Sequence, residues 1–489
     1  VLLESANGSS IDDLTMSNNT VTANVTGTLA RATTGGTINL TVTDNVFNLN
    51  TAANTGFSAQ ANGAGSTVNI NAFQNNTASN NASGNGVRFE ALAGGTLNVA
   101  NFTGNTMAGN GLNGAFLRAD GTASVIAGGI GINGQTVNTF NSNTGFGIGF
   151  EASAGGSILG AGSAGNFTLL NNVFGNTGEG NGMGGVNAVA DATSPTLSTL
   201  NLEFGGILMG DENTIVANTD VGIAYSLQNN STGTLVLRSN TITNTVDNAA
   251  TTTRLGQGVF VEVAGTSTLN NSVFDANTIT NNVGSGVQGL VRQSGVVTDL
   301  VIGNTDGDDD DGNIITNNTG DGIAWLRRDT ARVINLDIID NTLMSNANGL
   351  NLTAQNAGLL DTYDVDDNII TMNTVNGVRL RVDADADLDI DMNNNLITNN
   401  TGDGINTSES VNTINDSRSI SGTWTNNTIT NNTGHGIQLT AATNNLIVGT
   451  AGNGNLISMN GLDGVEINSF GSATFTENTF TNNGTGGLD

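Results

Sequence analysis

The octapeptide TNNTGDGI stands at residues 316–323 and again at 398–405, and TNNTGHGI stands at 430–437. A short motif that recurs along a chain at a fixed internal frame restricts the fold to stacked repeats, because each copy must solve the same packing problem beside its neighbour. Widening the comparison gives the frame itself. An Asn is followed by any residue, an aliphatic or Phe, two residues, a second Asn, three residues, a Gly and an aliphatic. The first Asn falls at 19, 45, 76, 105, 138, 172, 213, 240, 277, 313, 341, 368, 395, 427, 455 and 478. The match is loose at 19, 45, 172 and 240. From 277 onward the second Asn follows five residues after the first, as Asn282, Asn318, Asn346, Asn373, Asn400, Asn432, Asn460 and Asn483.

Thr, Val, Ile and Leu alternate with polar residues between these marks, which is strand periodicity, and no stretch carries helical periodicity. Insertions that change the spacing while the frame holds fit a solenoid, whose loops lengthen without moving the stacked strands. The third frame residue (Ile279, Ile315, Leu343, Ile370, Ile397, Ile429, Ile457, Phe480) is expected to point inward and stack at about 4.8 Å. The aliphatic after the Gly (Ile323, Val378, Ile405, Ile437, Val465) forms a second inward column. The Asn columns suit turns, since Asn tolerates left-handed backbone and its amide bonds to the same amide one coil on. The Gly supplies either positive φ or close backbone approach.

The expected fold is all-β, a single-stranded parallel β-helix of about sixteen coils with Asn-ladder turns. It occupies 1–489 as one continuous solenoid, with looser repeats over 1–276 and regular ones over 277–489. Sixteen coils make a rod of about 75 Å. Val1 aligns with the strand that follows a frame Gly, so the segment is expected to be a window of a longer repetitive chain or a protomer that stacks end to end.

Composition narrows the partners. Charged residues are 11% of the chain, against about 25% in ordinary soluble domains, and all 12 basic residues are Arg. The net charge of -30 reflects scarce bases more than abundant acids. A phosphate backbone needs a basic stripe, so nucleic acid is excluded as a partner. The absence of Cys removes disulfides and thiolate metal sites. No apolar run reaches the roughly 18 residues of a membrane span.

With its paired Asn columns and stacked aliphatics, the chain resembles the right-handed parallel β-helix repeats of the pectin-lyase-like superfamily, over nearly its whole length. That resemblance implies the right-handed coil, in keeping with the crossover rule. It implies little about activity, since adhesins, tailspikes and polysaccharide enzymes share the coil. In character the chain is similar to bacterial surface adhesin and filament β-helices.

The polygalacturonase-like signature within that superfamily is Asn-Thr-Asp, then Asp-Asp one coil on, Gly-His-Gly and Arg-Ile-Lys. Here Asn304-Thr305-Asp306 and Asp308-Asp309 share one loop, Gly434-His435-Gly436 lies four frame copies further, and no Lys exists. His435 also fills the position held by Asp321 and Asp403 in sister coils. No catalytic residue is assigned.

Acids are the second candidate chemistry. Asp309, Asp337, Asp364 and Asp391 each stand four residues before a frame Asn in four consecutive copies. A column of like charges is unfavourable unless water, salt or a cation screens it. Oxygen-rich Ca²⁺ coordination suits such a surface and the loop with Asp306, Asp308, Asp309 and Asp310. The alternative is a solvated acidic face that keeps the rod soluble. Trp325 with Arg327 and Arg328 suggests either a sugar-stacking patch or a Trp that caps a coil beside Arg residues paired with the acidic column.

These readings lead to an extracellular or cell-surface protein without enzymatic activity, a structural or adhesive β-helix whose partners are neighbouring repeats, further copies end to end, or cell-surface glycans. A polysaccharide-binding or polysaccharide-cleaving β-helix is the alternative. Apart from Ca²⁺, no cofactor is expected.

Overall fold

The computed structural model describes the chain except residues 26, 52–54, 133, 194, 248–254, 305–311, 357–360, 384, 410–418, 469–470 and 485–489. It falls into two compact units, Val1–Gly256 and Gln257–Asp489. Each is built from coils of three parallel strands, one strand per sheet. Among the described residues there is no α-helix, only a single 3₁₀ turn at Ala161–Ser163.

In the second unit the first sheet runs through eight strands, from Gln257–Val263 to Val465–Ile467. The second sheet runs from Thr268–Asp275 to Gly471–Phe475, and the third from Thr278–Thr280 to Thr479–Thr481. Every pairing is parallel, and the expected inward columns are in register. Ile279, Ile315, Leu343, Ile370, Ile397, Ile429, Ile457 and Phe480 pair in succession. So do Ile323, Leu350, Val378, Ile405, Ile437 and Val465. All but Phe480 are buried, and each buried Ile or Leu is worth about 2–3 kcal/mol of apolar transfer. The chain is a right-handed parallel β-helix.

The first unit repeats the plan with a more varied core. Its first sheet runs through eight strands from Leu2–Ser5 to Val221–Asn229. The third frame position there holds Phe47, Ala78, Met107, Phe140, Phe174 and Ile215, all buried. Phe140 and Phe174 stack at 5.0 Å, and Phe73 stacks on Phe102 at 5.0 Å. Mixed side-chain sizes fill the same space with fewer identical residues, which is why the frame reads loosely there.

Two Asn ladders bracket the third sheet. In the first unit the eight first-frame Asn from Asn19 to Asn240 form one ladder, loose matches included, and in the second unit the eight from Asn277 to Asn478 do the same. Asn19 Nδ2 donates to Asn45 Oδ1 at 2.9 Å, Asn172 to Asn213 at 3.0 Å, and Asn213 to Asn240 at 2.9 Å. The second ladder contains Asn282, Asn318, Asn346, Asn373, Asn400, Asn432, Asn460 and Asn483, joined by bonds of 2.9–3.1 Å. Ladder amides such as Asn341, Asn373 and Asn400 also donate to a backbone carbonyl of the preceding coil, as Asn373 Nδ2 does to Leu343 O at 3.1 Å. Buried amides are thus satisfied on every side.

The left-handed residue is not the ladder Asn, contrary to the sequence expectation. It is the residue before it. Asn317, Asn399 and Asn431 have φ of 56–57°, while Asn318, Asn400 and Asn432 do not. Within each Asn-Asn pair the first residue turns the chain and the second bonds along the axis. The frame Gly is required for close approach. A Cβ on Gly377 would lie 2.5 Å from Ile397 Cγ2, 2.6 Å from Gly404 O and 2.9 Å from Asn400 Nδ2, and its φ is not left-handed.

Candidate functional site

Charge is distributed by sheet. Arg31, Arg88, Arg118, Arg328, Arg379 and Arg381 all point outward from the first sheet. In the first unit one outer column runs Glu4, Arg31, Gln60, Glu90, Arg118, Glu151: Arg31 bonds Glu4 at 2.8 Å and Arg118 bonds Glu151 at 3.0 Å, while Arg88 in the next column reaches Glu90 along its own strand at 2.6 Å. A groove of about 430 Å³ lies on this face, lined by Leu29, Ser58, Gln60, Arg88 and Glu90 among others.

In the second unit the same face carries a groove of about 320 Å³. Gln288, Asn351, Thr353, Gln355, Arg379 and Arg381 line it, over a floor that includes Gly289 and Ala324. Parallel register puts Gln288, Ala324, Asn351 and Arg379 in one outward column, and Leu290, Leu326, Thr353 and Arg381 in the next. Arg381 is held by Asp383, with Nε–Oδ1 and Nη2–Oδ2 both at 3.0 Å. Arg379 makes no hydrogen bond or ion pair among the described residues. Asp321 is the one carboxylate that lines the groove, and it is already engaged: Oδ1 accepts from Asn348 N at 3.0 Å and Oδ2 from Asn351 Nδ2 at 2.7 Å.

The acidic residues gather on the second sheet. Asp337, Asp364 and Asp391 are direct register partners, one carboxylate per coil, as the spacing anticipates. Burial raises the Asp337 carboxyl above its usual range, and Asp364, Asp299 and Asp366 add to the effect. Burial likewise raises Asp364, with Asp391 and Asp389 adding, and raises Asp366. Asp337 Oδ1 has no hydrogen-bond partner among the described residues. Where the column meets the next coil, backbone and hydroxyl donors take over. Asp391 Oδ1 accepts from Thr423 N at 2.6 Å, and Asp389 Oδ1 accepts from Ser421 at 2.8 Å. Among the described residues no group of three or more His, Asp or Glu is arranged to hold a metal ion. Asp306, Asp308, Asp309 and Asp310 lie outside the described residues, as does Thr305.

His435 and its sister-coil equivalents Asp321 and Asp403 are bonded from coil to coil. Their position belongs to a third polar column along the leading edge of the first sheet. Asp321 Oδ1 accepts from Asn348 N, Asn348 Oδ1 from Asn376 N, and Asn376 Oδ1 from Asp403 N. Asp403 Oδ1 accepts from His435 N at 2.8 Å, and His435 Nδ1 accepts from Asp463 N at 3.2 Å. The Asn ladders run the other way, with the later coil as acceptor of the earlier coil's backbone N–H. Nδ1 also lies 3.3 Å from Asp463 Oδ2, and Nε2 faces Glu466 Oε2 at 3.2 Å. Hydrogen bonds from Gln438 and Asn468 hold the Glu466 carboxyl below its usual range.

The aromatic residues also differ from expectation. Trp325, Trp424, Tyr225 and Tyr363 all face inward and are buried. Trp325 fills the space over Gly289, where a Cβ would come within 2.1 Å of its ring. Arg327 is inward too, and it pairs with Asp361 rather than with the acidic column. Burial raises the Asp361 carboxyl, and the neighbouring Arg327 opposes that rise. The strand alternation Ile323, Trp325, Arg327 carries this parity in plain sight.

No family model matches the chain, and no curated protein matches its sequence. Among solved structures it is similar to a mutant of the periplasmic alginate epimerase AlgG, at 12% identity over 81% of this chain and 76% of that one, with a TM-score of 0.35. It is similar to the A-module of the Azotobacter vinelandii mannuronan C-5 epimerase AlgE4, at 14% identity over 82% and 87%, with a TM-score of 0.34. It is also similar to the Dettilon tailspike protein, at 12% identity over 86% and 62%, with a TM-score of 0.31. The β-helix assignment rests on the chain's own strand register and ladders.

Proposed function

We infer that this is an extracellular, non-catalytic β-helical protein that holds an acidic polysaccharide across the outer face of its first sheet. The observation that carries this reading is Arg379, an unpaired guanidinium beside the amides of Gln288, Asn351 and Gln355 in an open groove. A guanidinium binds a carboxylate with two parallel hydrogen bonds, and carboxamides suit sugar hydroxyls. The net charge of -30 does not forbid an anionic ligand. At physiological salt the screening length is about 8 Å, so contact charges outweigh distant ones. Among the described residues Asp321 is the one carboxylate that lines the groove, and its oxygens are engaged by Asn348 and Asn351; acid–base cleavage of a glycosidic bond uses a pair, which favours binding over turnover.

Titration calorimetry with polyuronate and neutral glycan oligomers tests this. Binding of the acidic series, weakened at least tenfold in Arg379→Ala and by added salt, is the expected result. Equal binding of neutral glycans, or release of unsaturated or reducing ends, sinks it. The reading includes calcium on the Asp337–Asp364–Asp391 column, supported by ligand type and in-register spacing. An unchanged melting temperature on adding EDTA and then excess Ca²⁺ removes that part. It also includes end-to-end stacking into filaments, which electron microscopy of the purified chain checks.

A further inference from the structure

The third sheet carries no charge on its outer face. In each of the eight coils of the second unit, the seven residues that begin at the first-ladder Asn include no Asp, Glu or Arg. The same seven-residue stretch is uncharged in every coil of the first unit. The two outward columns of the second unit are Thr278, Ile314, Thr342, Ile369, Leu396, Thr428, Leu456, Thr479 and, beside it, Thr280, Thr316, Met344, Thr371, Thr398, Thr430, Ser458, Thr481, of which Thr316, Thr371 and Ser458 are already buried within the chain. Of the eleven exposed large apolar side chains described in this unit, seven lie in these stretches, among them Ile314, Ile369, Met372, Leu396, Leu456 and Met459. Val375 and Leu462 directly follow a stretch, and Ile447 and Ile467 lie elsewhere.

We propose that this face is where two copies of the chain associate side by side. In a two-fold pair each face meets its own copy, so in the second unit the first-sheet Arg residues would oppose Arg and the second-sheet Asp column would oppose Asp. Among the described residues the third face is the one that pairs with itself and sets no charge against a like charge. Its residues are suited to burial: β-branched Thr and Ile lose little rotamer freedom, and their outward rows repeat at about 4.8 Å in both partners. Ile369 and Leu396 are direct register neighbours and form an apolar step near the middle of the sheet. A face that serves both partners makes a closed two-fold pair rather than a sheet of copies. Eight strands by one strand and turn give roughly 500 Å² per copy. That is below the ~800 Å² per partner of a standard interface, so the dimer is weak and concentration-dependent.

Sedimentation velocity over a range of concentrations tests the proposal. A monomer–dimer equilibrium is expected, and the paired change Ile369→Lys with Leu396→Lys is expected to raise its dissociation constant at least tenfold while leaving the melting temperature near that of the parent. Leu456→Lys, a single change two coils away, serves if the paired variant folds poorly. Asp364→Asn on the second sheet should leave association unchanged. The proposal is overturned by a chain that stays monomeric at all concentrations, including one that docks this face on some other apolar surface, or by a dimer that tolerates the lysines. Glycan binding by Arg379 is read separately, so either idea can fail alone.

Discussion

Arg327 and Asp361 form an ion pair at 2.5 Å with both side chains fully buried. The guanidinium also donates to Asn356 O at 2.7 Å and Asp387 O at 3.2 Å, and Asp361 Oδ1 accepts from Val333 N at 3.0 Å. Removing one member strands the other in the core. Arg327→Met alone is expected to cost about 3–5 kcal/mol. Arg327→Met with Asp361→Asn, which keeps the bond from Val333, should recover part of that loss in denaturant unfolding. A double variant no more stable than the single one would mean the pair is not the source of the cost.

The acidic column gives an unusual pH response. Asp337, Asp364 and Asp366 have raised folded values, so the native state binds protons more tightly than the unfolded chain. Their stabilising contribution is full below the ordinary aspartate value of 3.8 and is lost as pH rises through the raised folded values. Acidification from neutral pH toward the ordinary carboxylate range should therefore raise the melting temperature at low salt. Asp364→Asn should raise it at neutral pH and flatten the slope. A melting temperature that falls steadily on acidification would contradict this.

His435→Asn should be nearly silent, because Asn348 and Asn376 already perform the same acceptor role in sister coils. His435→Ala should cost about 1 kcal/mol through the orphaned N–H of Asp463. His435→Asp keeps an acceptor but adds a carboxylate beside Asp403, Asp463 and Glu466, so its loss should shrink with added salt. Thermal melts of the three variants at low and high salt distinguish these outcomes.

The two tryptophans should respond differently to Phe. Trp424 Nε1 donates to Ile390 O at 3.1 Å, whereas Trp325 Nε1 has no hydrogen-bond partner among the described residues. Both substitutions lose volume, but only Trp424→Phe breaks a hydrogen bond. Urea unfolding should show it to be the costlier by about 1 kcal/mol.

The coil plan was legible because one residue type per corner repeats. Every frame Asn in the sequence is a ladder Asn, even Asn19, Asn45, Asn172 and Asn240, where flanking residues blur the pattern. The register of Asp337, Asp364 and Asp391 followed from the same frame. The third column did not stand out, because Asp, Asn and His all accept a backbone N–H and so no single letter marks it. Arg327 was misread for a related reason. Its strand parity points inward, but a charged side chain is presumed exposed until a buried partner is found, and Asp361 sits outside the repeat frame. The uncharged arc is a pattern of absence, visible only after the frame assigns each residue to a face.

The ladders have a consequence for how such a chain changes over time. Each coil offers its neighbours the same amide and the same carbonyl, so whole coils are interchangeable units, and duplicating one from Asn to Asn leaves every axial bond in place. Arg327 breaks that equivalence. It ties its own coil to the carbonyls and carboxylate of the next two, through Asn356, Asp361 and Asp387. Coils elsewhere can be copied or lost as modules, but here three consecutive coils are inherited as one.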